Sequence, residues 1–126
     1  MKIRVYYEDT DAGGIVYHSN YLNFCERARS ELFFTQGASP ALENGHFVAK
    51  SIQADFFKPA KLADLLHVST KMVDMRGASF TLYQEVLRGD EKLFSMNITL
   101  AHINYEGKLI RIDKELKTLL YSFIDS

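Results

Sequence analysis

The residue types best suited to chemistry are gathered near the start of the chain, in Tyr7-Glu8-Asp9-Thr10-Asp11-Ala12-Gly13-Gly14-Ile15-Val16-Tyr17-His18. Asp11 is a carboxylate at neutral pH, with an ordinary pKa of about 3.9. It can polarise a water as a general base or attack a carbonyl itself, and the residues do not choose between these routes. Gly13 and Gly14 are adjacent, and glycine permits unusual backbone angles and close approach of a ligand. His18 stands just before a predicted helix, whose first N–H groups are unpaired and whose end carries about half a positive charge. A carboxylate beside such a helix start is equipment for adding to a carbonyl and holding the oxyanion that forms. Asp11 could equally close an Asx-turn, His18 could make a contact at the helix start, and Tyr7 could be a core aromatic with its hydroxyl satisfied.

The elements that must position these residues are legible from periodicity. Residues 2 to 7 alternate as a short strand, with Ile3 and Val5 on one face. From Asn20 to Gln36 the residues Tyr21, Phe24, Cys25, Ala28 and Leu32 recur at helical spacing, and Leu22, Phe33 and Phe34 widen the stripe. Ser19 or Asn20 is the expected N-cap and Gly37 the expected stop. Glu26, Arg27, Arg29, Ser30 and Glu31 form the polar face of this helix. A short helix or turn is expected over Ser39 to Asn44, with Pro40 in its first turn. The segments His46–Phe57, Leu65–Met75, Ala78–Leu87 and Lys92–Asn104 are rich in β-branched and aromatic residues and read as strands. In the second of these, Leu66, Val68, Thr70 and Met72 face one way. Arg76-Gly77 and Arg88-Gly89-Asp90-Glu91 are short enough for antiparallel connections. Residues 108 to 112 are a further strand candidate, and Lys114 to Phe123 reads as a closing helix. The fold class is α+β, an antiparallel sheet of five to six strands curled around one long helix.

Composition narrows the function classes. The 126 residues suit a single domain, 1–126, with one core. With 15 basic and 16 acidic side chains, net charge −1, there is no electrostatic reason to expect nucleic acid or an anionic membrane surface. The N-terminus lacks the apolar core of a signal peptide, and no apolar run is long enough for a membrane span. The lone Cys25 has no intrachain partner and sits in the helical stripe as a small hydrophobe. A cytoplasmic protein is the expectation. Glu8, Asp9 and Asp11 resemble half a calcium loop, but the twelfth position from Asp9 is Asn20 where a bidentate Glu is needed. The four histidines are too scattered for a metal motif, so no metal is expected.

The run Asp11-Ala-Gly-Gly-Ile-Val-Tyr-His-Ser-Asn-Tyr21 resembles the signature of hotdog-fold acyl-CoA thioesterases of the 4-hydroxybenzoyl-CoA thioesterase family, and within it the YbgC-like bacterial enzymes. Phe57-Lys-Pro-Ala60 with Asp64-Leu65, and Arg76-Gly-Ala-Ser79 with Gln84-Glu-Val86, extend the likeness to about Asn104. The tail departs, because Ile110-Arg111-Ile112 lacks the proline often found after the last strand. The resemblance implies hydrolysis of an acyl-CoA thioester without a metal or organic cofactor, coenzyme A being part of the substrate. It implies a homodimer or homotetramer, a dimer of dimers, with active sites at the dimer interface. It makes the residue at Asp11 catalytic, places Tyr7 and His18 in the same site, and makes the His18 backbone N–H the first oxyanion donor. Coenzyme A phosphates call for basic side chains at strand ends, for which Lys58, Lys61, Arg76 and Arg88 are candidates, with Ser79 as a hydroxyl donor. Gly14 would allow close approach, and Ile15, Val16 and Phe57 would line an acyl channel. Acyl carrier protein is a further candidate partner.

Two rivals share this architecture. A hotdog dehydratase or hydratase wants a His beside a carboxylate on the helix, and no His occurs between Asn20 and Gln36. A non-catalytic acyl-CoA binding module would bind without turnover.

Overall fold

The computed structural model describes residues 1–123. The chain runs β1 (Lys2–Arg4), a 3₁₀ turn (Tyr7–Asp9), α1 (Asn20–Thr35), β2 (His46–Phe56), β3 (Leu65–Met75), β4 (Ser79–Arg88), β5 (Glu91–Ile103) and α2 (Lys114–Tyr121). The strands form one antiparallel sheet in the order β1-β3-β4-β5-β2. Helix α1 therefore connects the two edges, and it lies against β3 and β4.

Alternation decides the inner face. Leu66, Val68 and Thr70 of β3, Phe80, Leu82, Gln84 and Val86 of β4, and Phe94, Met96, Ile98 and Leu100 of β5 are buried. Against them α1 buries Tyr21, Phe24, Cys25, Ala28 and Phe33, with Phe24 and Phe33 each contributing about 1.5–3 kcal/mol by leaving water. Two polar side chains, Thr70 and Gln84, sit on this inner face among the described residues. Gln84 donates through Nε2 to the Cys25 carbonyl and to Thr70 Oγ1, both at 3.0 Å, and its Oε1 accepts from Arg29 Nη1 at 3.0 Å. Arg29 thus turns inward from the expected polar face. Desolvation pulls its pKa below the usual value, and it is held because Gln84 needs a donor. The same burial pushes the Cys25 thiol up to about 12, so it packs as a hydrophobe.

Several boundaries differ from the periodic reading. Strand β1 stops at Arg4 because Tyr7–Asp9 wind into a 3₁₀ turn. No helix forms over Ser39–Asn44. Six residues are too few to repay helix nucleation, and the Ser39 hydroxyl accepting the Ala41 N–H (3.1 Å) with Leu42 N–H donating to the Gly45 carbonyl (2.9 Å) makes local turns instead. Residues 108–112 contribute one isolated bridge, Ile103 to Leu109. Helix α1 ends where expected, in a Schellman motif with Gly37 at φ +72°. There Ala38 N–H reaches the Phe33 carbonyl (2.9 Å) and Gly37 N–H the Phe34 carbonyl (3.0 Å).

Strand β2 is the outlying edge. It pairs with β5 on one side, and its residues from Ala49 to Phe56 are exposed on both faces. Ile52 and Phe56 share the inner face with Ile98 and Phe94 by register, yet remain 40% and 55% exposed. Helix α1 meets Phe56 through the edge-on Tyr21 ring, at 5.7 Å between centroids, and still leaves more than half of Phe56 exposed.

Candidate active site

The acidic loop folds into a small hairpin. Asp9 and Tyr17 are joined by Tyr17 N–H to the Asp9 carbonyl (3.0 Å), and Asp11 and Ile15 by Asp11 N–H to the Ile15 carbonyl (2.9 Å). The tip turns through Gly14, at φ +80°, a conformation that suits glycine. The Gly13 N–H donates to Asp11 Oδ1 at 2.8 Å. This is an Asx-turn, and it also fixes the carboxylate, because Oδ2 has no partner among the described residues. Both readings of Asp11 are thus compatible in one geometry.

Asp11 lines a groove of about 410 Å³ with Ile15, Val16, His18, Tyr21, Phe56, Phe57, Lys58 and Pro59. Val16 is buried and anchored, its N–H donating to the Ala60 carbonyl at 2.9 Å. The His18 ring lies 4.4 Å from that of Tyr17 and edge-on to Phe56 at 6.5 Å. Ser19 occupies the N-cap position of α1 but makes no side-chain cap. The N–H groups of His18 and Ser19 make no hydrogen bond among the described residues. The groove therefore presents a carboxylate, aromatic walls and His18, whose open N–H stands at a helix start beside the open N–H of Ser19.

Tyr21, Asp9 and Asn20 are structural parts of the site that the sequence reading did not assign. The Tyr21 hydroxyl accepts the Ala60 N–H (3.0 Å) and its ring stacks on Phe94 at 5.1 Å. Burial raises its pKa, with the Ala60 bond and the Arg88 charge working against that rise. Asp9 is only 3% exposed. Its Oδ2 accepts the Tyr6 N–H (2.9 Å) and its Oδ1 accepts from Asn20 Nδ2 (2.7 Å). Tyr21 was visible only as one member of an apolar stripe. Nothing in the spacing says which of the three acidic side chains is buried.

Of the expected site residues, Asp11, Val16, His18 and Lys58 are brought together. Gly14 is at the hairpin tip and open to solvent, with no atom within 4 Å of where a Cβ would stand. Tyr7 is 81% exposed and its phenol does not hydrogen-bond Asp11; its carbonyl instead accepts from Thr10. The 3₁₀ turn swings it outward. Arg76 pairs with Asp74 (2.9 Å), and Ser79 faces Ala101 across the sheet. Phe56 faces Phe94 on the same strand as Ala101, so Ser79 is roughly 23 Å along β5 from the groove at about 3.3 Å per residue. One chain does not bring Arg76 or Ser79 to Asp11. Lys58 bonds Glu91 at 2.7 Å. Arg88 is held by Asp64, Glu91 and the Pro59 carbonyl through four of its five N–H groups.

The architecture is that of hotdog thioesterases. A solved structure described as a probable thioesterase from Bartonella henselae superposes with a TM-score of 0.85 at 36% identity, covering 90% of this chain and 97% of that one. The chain belongs to the thioesterase superfamily, whose pattern matches residues 13–95. Among its relatives, a Helicobacter pylori protein described as the acyl-CoA thioesterase YbgC is 54% identical over 86 residues, 68% of this chain and 65% of that one. A Haemophilus influenzae protein of the same description is 39% identical over 125 residues, 94% of this chain and 91% of that one.

Proposed function

We propose that this chain hydrolyses acyl-CoA thioesters to the free acid and coenzyme A. The observation that carries the reading is that one groove is lined by both the Asp11 carboxylate, with one oxygen held and one open, and His18, whose backbone N–H is unpaired and is followed by the unpaired N–H of Ser19. The thioester carbonyl would lie between them. Asp11 activates water or attacks the carbonyl carbon, and the N–H donors stabilise the oxygen as it becomes negative. The His18 ring stands where it can orient water or protonate the departing thiolate. Ile15, Val16, Phe56 and Phe57 offer the acyl chain an apolar wall. No organic cofactor or metal enters this scheme. The curated relatives support the substrate class.

Lys58 at the groove would meet coenzyme A phosphate, exchanging its bond to Glu91 for a substrate contact. Arg76, Ser79 and Tyr7 join the site only if a partner copy supplies or covers them, which makes a homodimer, and a dimer of dimers built from it, part of the proposal. The buried thiol of Cys25 suits a cytoplasmic protein. The absence of histidine from α1 disfavours a hydratase.

The test is thiol release from a panel of acyl-CoA and acyl carrier protein thioesters. Wild type turns over at least one of them, and Asp11→Asn is slower by a factor of about 100 or more, the loss typical of a missing catalytic group. Equal rates for the two proteins would remove Asp11 from the mechanism. Tight binding with no thiol release would make the chain a binding module.

A further inference from the structure

Asp9 grips the segment that carries the open N–H groups at both of its ends. Its backbone carbonyl accepts the Tyr17 N–H at 3.0 Å, and its carboxylate accepts from the Asn20 side chain at 2.7 Å. Only His18 and Ser19 lie between those two points, and theirs are the N–H groups without a partner among the described residues. The second carboxylate oxygen accepts the Tyr6 N–H at 2.9 Å, anchoring Asp9 to the chain that enters the loop. In the other direction the backbone passes through Thr10 to Asp11. One buried residue thus sets the relation between the Asp11 carboxylate and the open donors.

We propose that Asp9 is a positioning residue of this site, holding the His18 and Ser19 N–H groups in the orientation that receives the substrate carbonyl. The inference rests on the thioesterase reading and adds to it a residue that touches neither substrate nor water. The physical reason is that an N–H donor weakens steeply as its angle departs from linear. Donors preorganised in a site cost no reorganisation when charge develops. Backbone bonds from Asn20 N–H to the Tyr17 carbonyl (2.8 Å) and from Leu22 N–H to the Ser19 carbonyl (3.1 Å) brace the same span, and Asp9 adds the tie to the loop that carries Asp11.

The chemistry of the pair supplies a sharp test. Both Asp9 oxygens accept hydrogen bonds, so Asp9→Asn, with one acceptor oxygen, loses the charge-assisted bond from Asn20 and can replace it with a neutral one only if the Asn20 amide turns over and gives up its bond from Asn23. In the double variant Asp9→Asn/Asn20→Asp, the amide at position 9 keeps one oxygen for the Tyr6 N–H and donates its N–H to the carboxylate at position 20. That carboxylate has a second oxygen to accept from Asn23 Nδ2, as the Asn20 side chain now does at 2.8 Å. The swap restores every contact with the charge moved.

The expected result is a kcat lowered about ten- to hundredfold in Asp9→Asn, at the lower edge of losing an oxyanion donor outright. KM stays within about threefold and the swap recovers most of the rate, since the lost interaction acts on the transition state. A readout independent of turnover is the backbone order of the His18 and Ser19 amides by ¹⁵N relaxation, which falls in Asp9→Asn and returns in the swap. Should Asp9→Asn not fold, Asn20→Ala breaks the same contact from its more accessible side and gives the same two readouts. A kcat within twofold of wild type, unchanged amide order, or a folded swap no faster than the single variant overturns the proposal. Asp11→Asn measured alongside separates the failures. If it is as active as wild type, or wild type releases no thiol, the thioesterase reading fails, and the amide order alone decides whether Asp9 holds these donors.

Discussion

Arg88 ties three segments of the chain together beside the groove. Its guanidinium donates to Asp64 (2.7 Å), to Glu91 (2.7 Å) and to the Pro59 carbonyl (3.2 Å), and Glu91 in turn holds Lys58. Desolvation acts to raise the Asp64 pKa, but the Lys61 N–H and Arg88 outweigh it and hold the carboxyl below the usual range. The Lys58 ammonium, followed by Arg88, does the same for the exposed Glu91. A carboxyl whose pKa is lower folded than unfolded adds stability above its unfolded pKa, about 3.9 for Asp and 4.3 for Glu, and that stability is lost as pH falls through the folded value. The melting temperature of wild type should therefore fall steeply below about pH 4. Asp64→Asn should melt lower at pH 7, have a shallower acid limb, and converge with wild type toward pH 2.5 or so. Parallel curves over the whole range would show that the Arg88 cluster does not drive the acid sensitivity. Residue-scale legibility was uneven in just this way. Asp11 could be picked out because glycines and a helix start follow it, whereas Arg88 and Lys58 had to be seen in place before their shared carboxylate partner, Glu91, was visible. Asp9 looked like one of three equivalent acids, because burial depends on a turn that alternation did not foresee.

The start and end of α1 are made in different ways, and this determines what each can tolerate. At its end Gly37 takes φ +72° to close the Schellman motif, and no atom lies within 4 Å of where a Cβ would stand. Gly37→Ala therefore meets no steric obstacle and pays only for the left-handed conformation, about 1 kcal/mol. Urea titration should show a lower midpoint with an unchanged slope, and Gly37→Asn should lose less, since asparagine tolerates this region. No loss with alanine would mean that the motif contributes nothing to stability. The start of α1 has no side-chain cap from Ser19, and such a cap would take the N–H of Tyr21 or Leu22, so the open donors of His18 and Ser19 do not depend on its absence. Elements with strong periodicity were legible, β3 from Leu65 to Met75 and α1 to within a residue, because their partners only confirm what alternation and helical spacing require. Ser39–Asn44, expected as a short helix or turn, takes the turn, and residues 5 to 7, expected as strand, leave it. In short segments side-chain hydrogen bonds to local N–H groups outweigh the weak propensities that suggested helix and strand.

At the scale of the whole molecule, β2 has a consequence for assembly. An 11-residue edge strand with no pairing partner on its outer side among the described residues is a ready template for a second strand, and natural proteins rarely leave one open. Its inner face adds Ile52 and Phe56 to an exposed apolar set that continues into Phe57 and, across the groove, Ile15. Contiguous exposure of this kind marks a surface for another chain. Two copies meeting along β2 would extend the sheet and cover these side chains. Because β2 ends at the Phe56 wall of the groove, the same contact would also bring the partner to the site. Light scattering should accordingly give the mass of two or four chains, and a charge in the middle of the strand, Ile52→Glu, should shift the mass toward one chain, since the penalty for burying an unpaired carboxylate exceeds what one isoleucine contributes. The proposed thiol release should fall with the mass, because one chain leaves Ser79 roughly 23 Å along β5 from the groove. A wild-type protein that is monomeric and fully active would separate the site from any partner and confine it to the residues around Asp11.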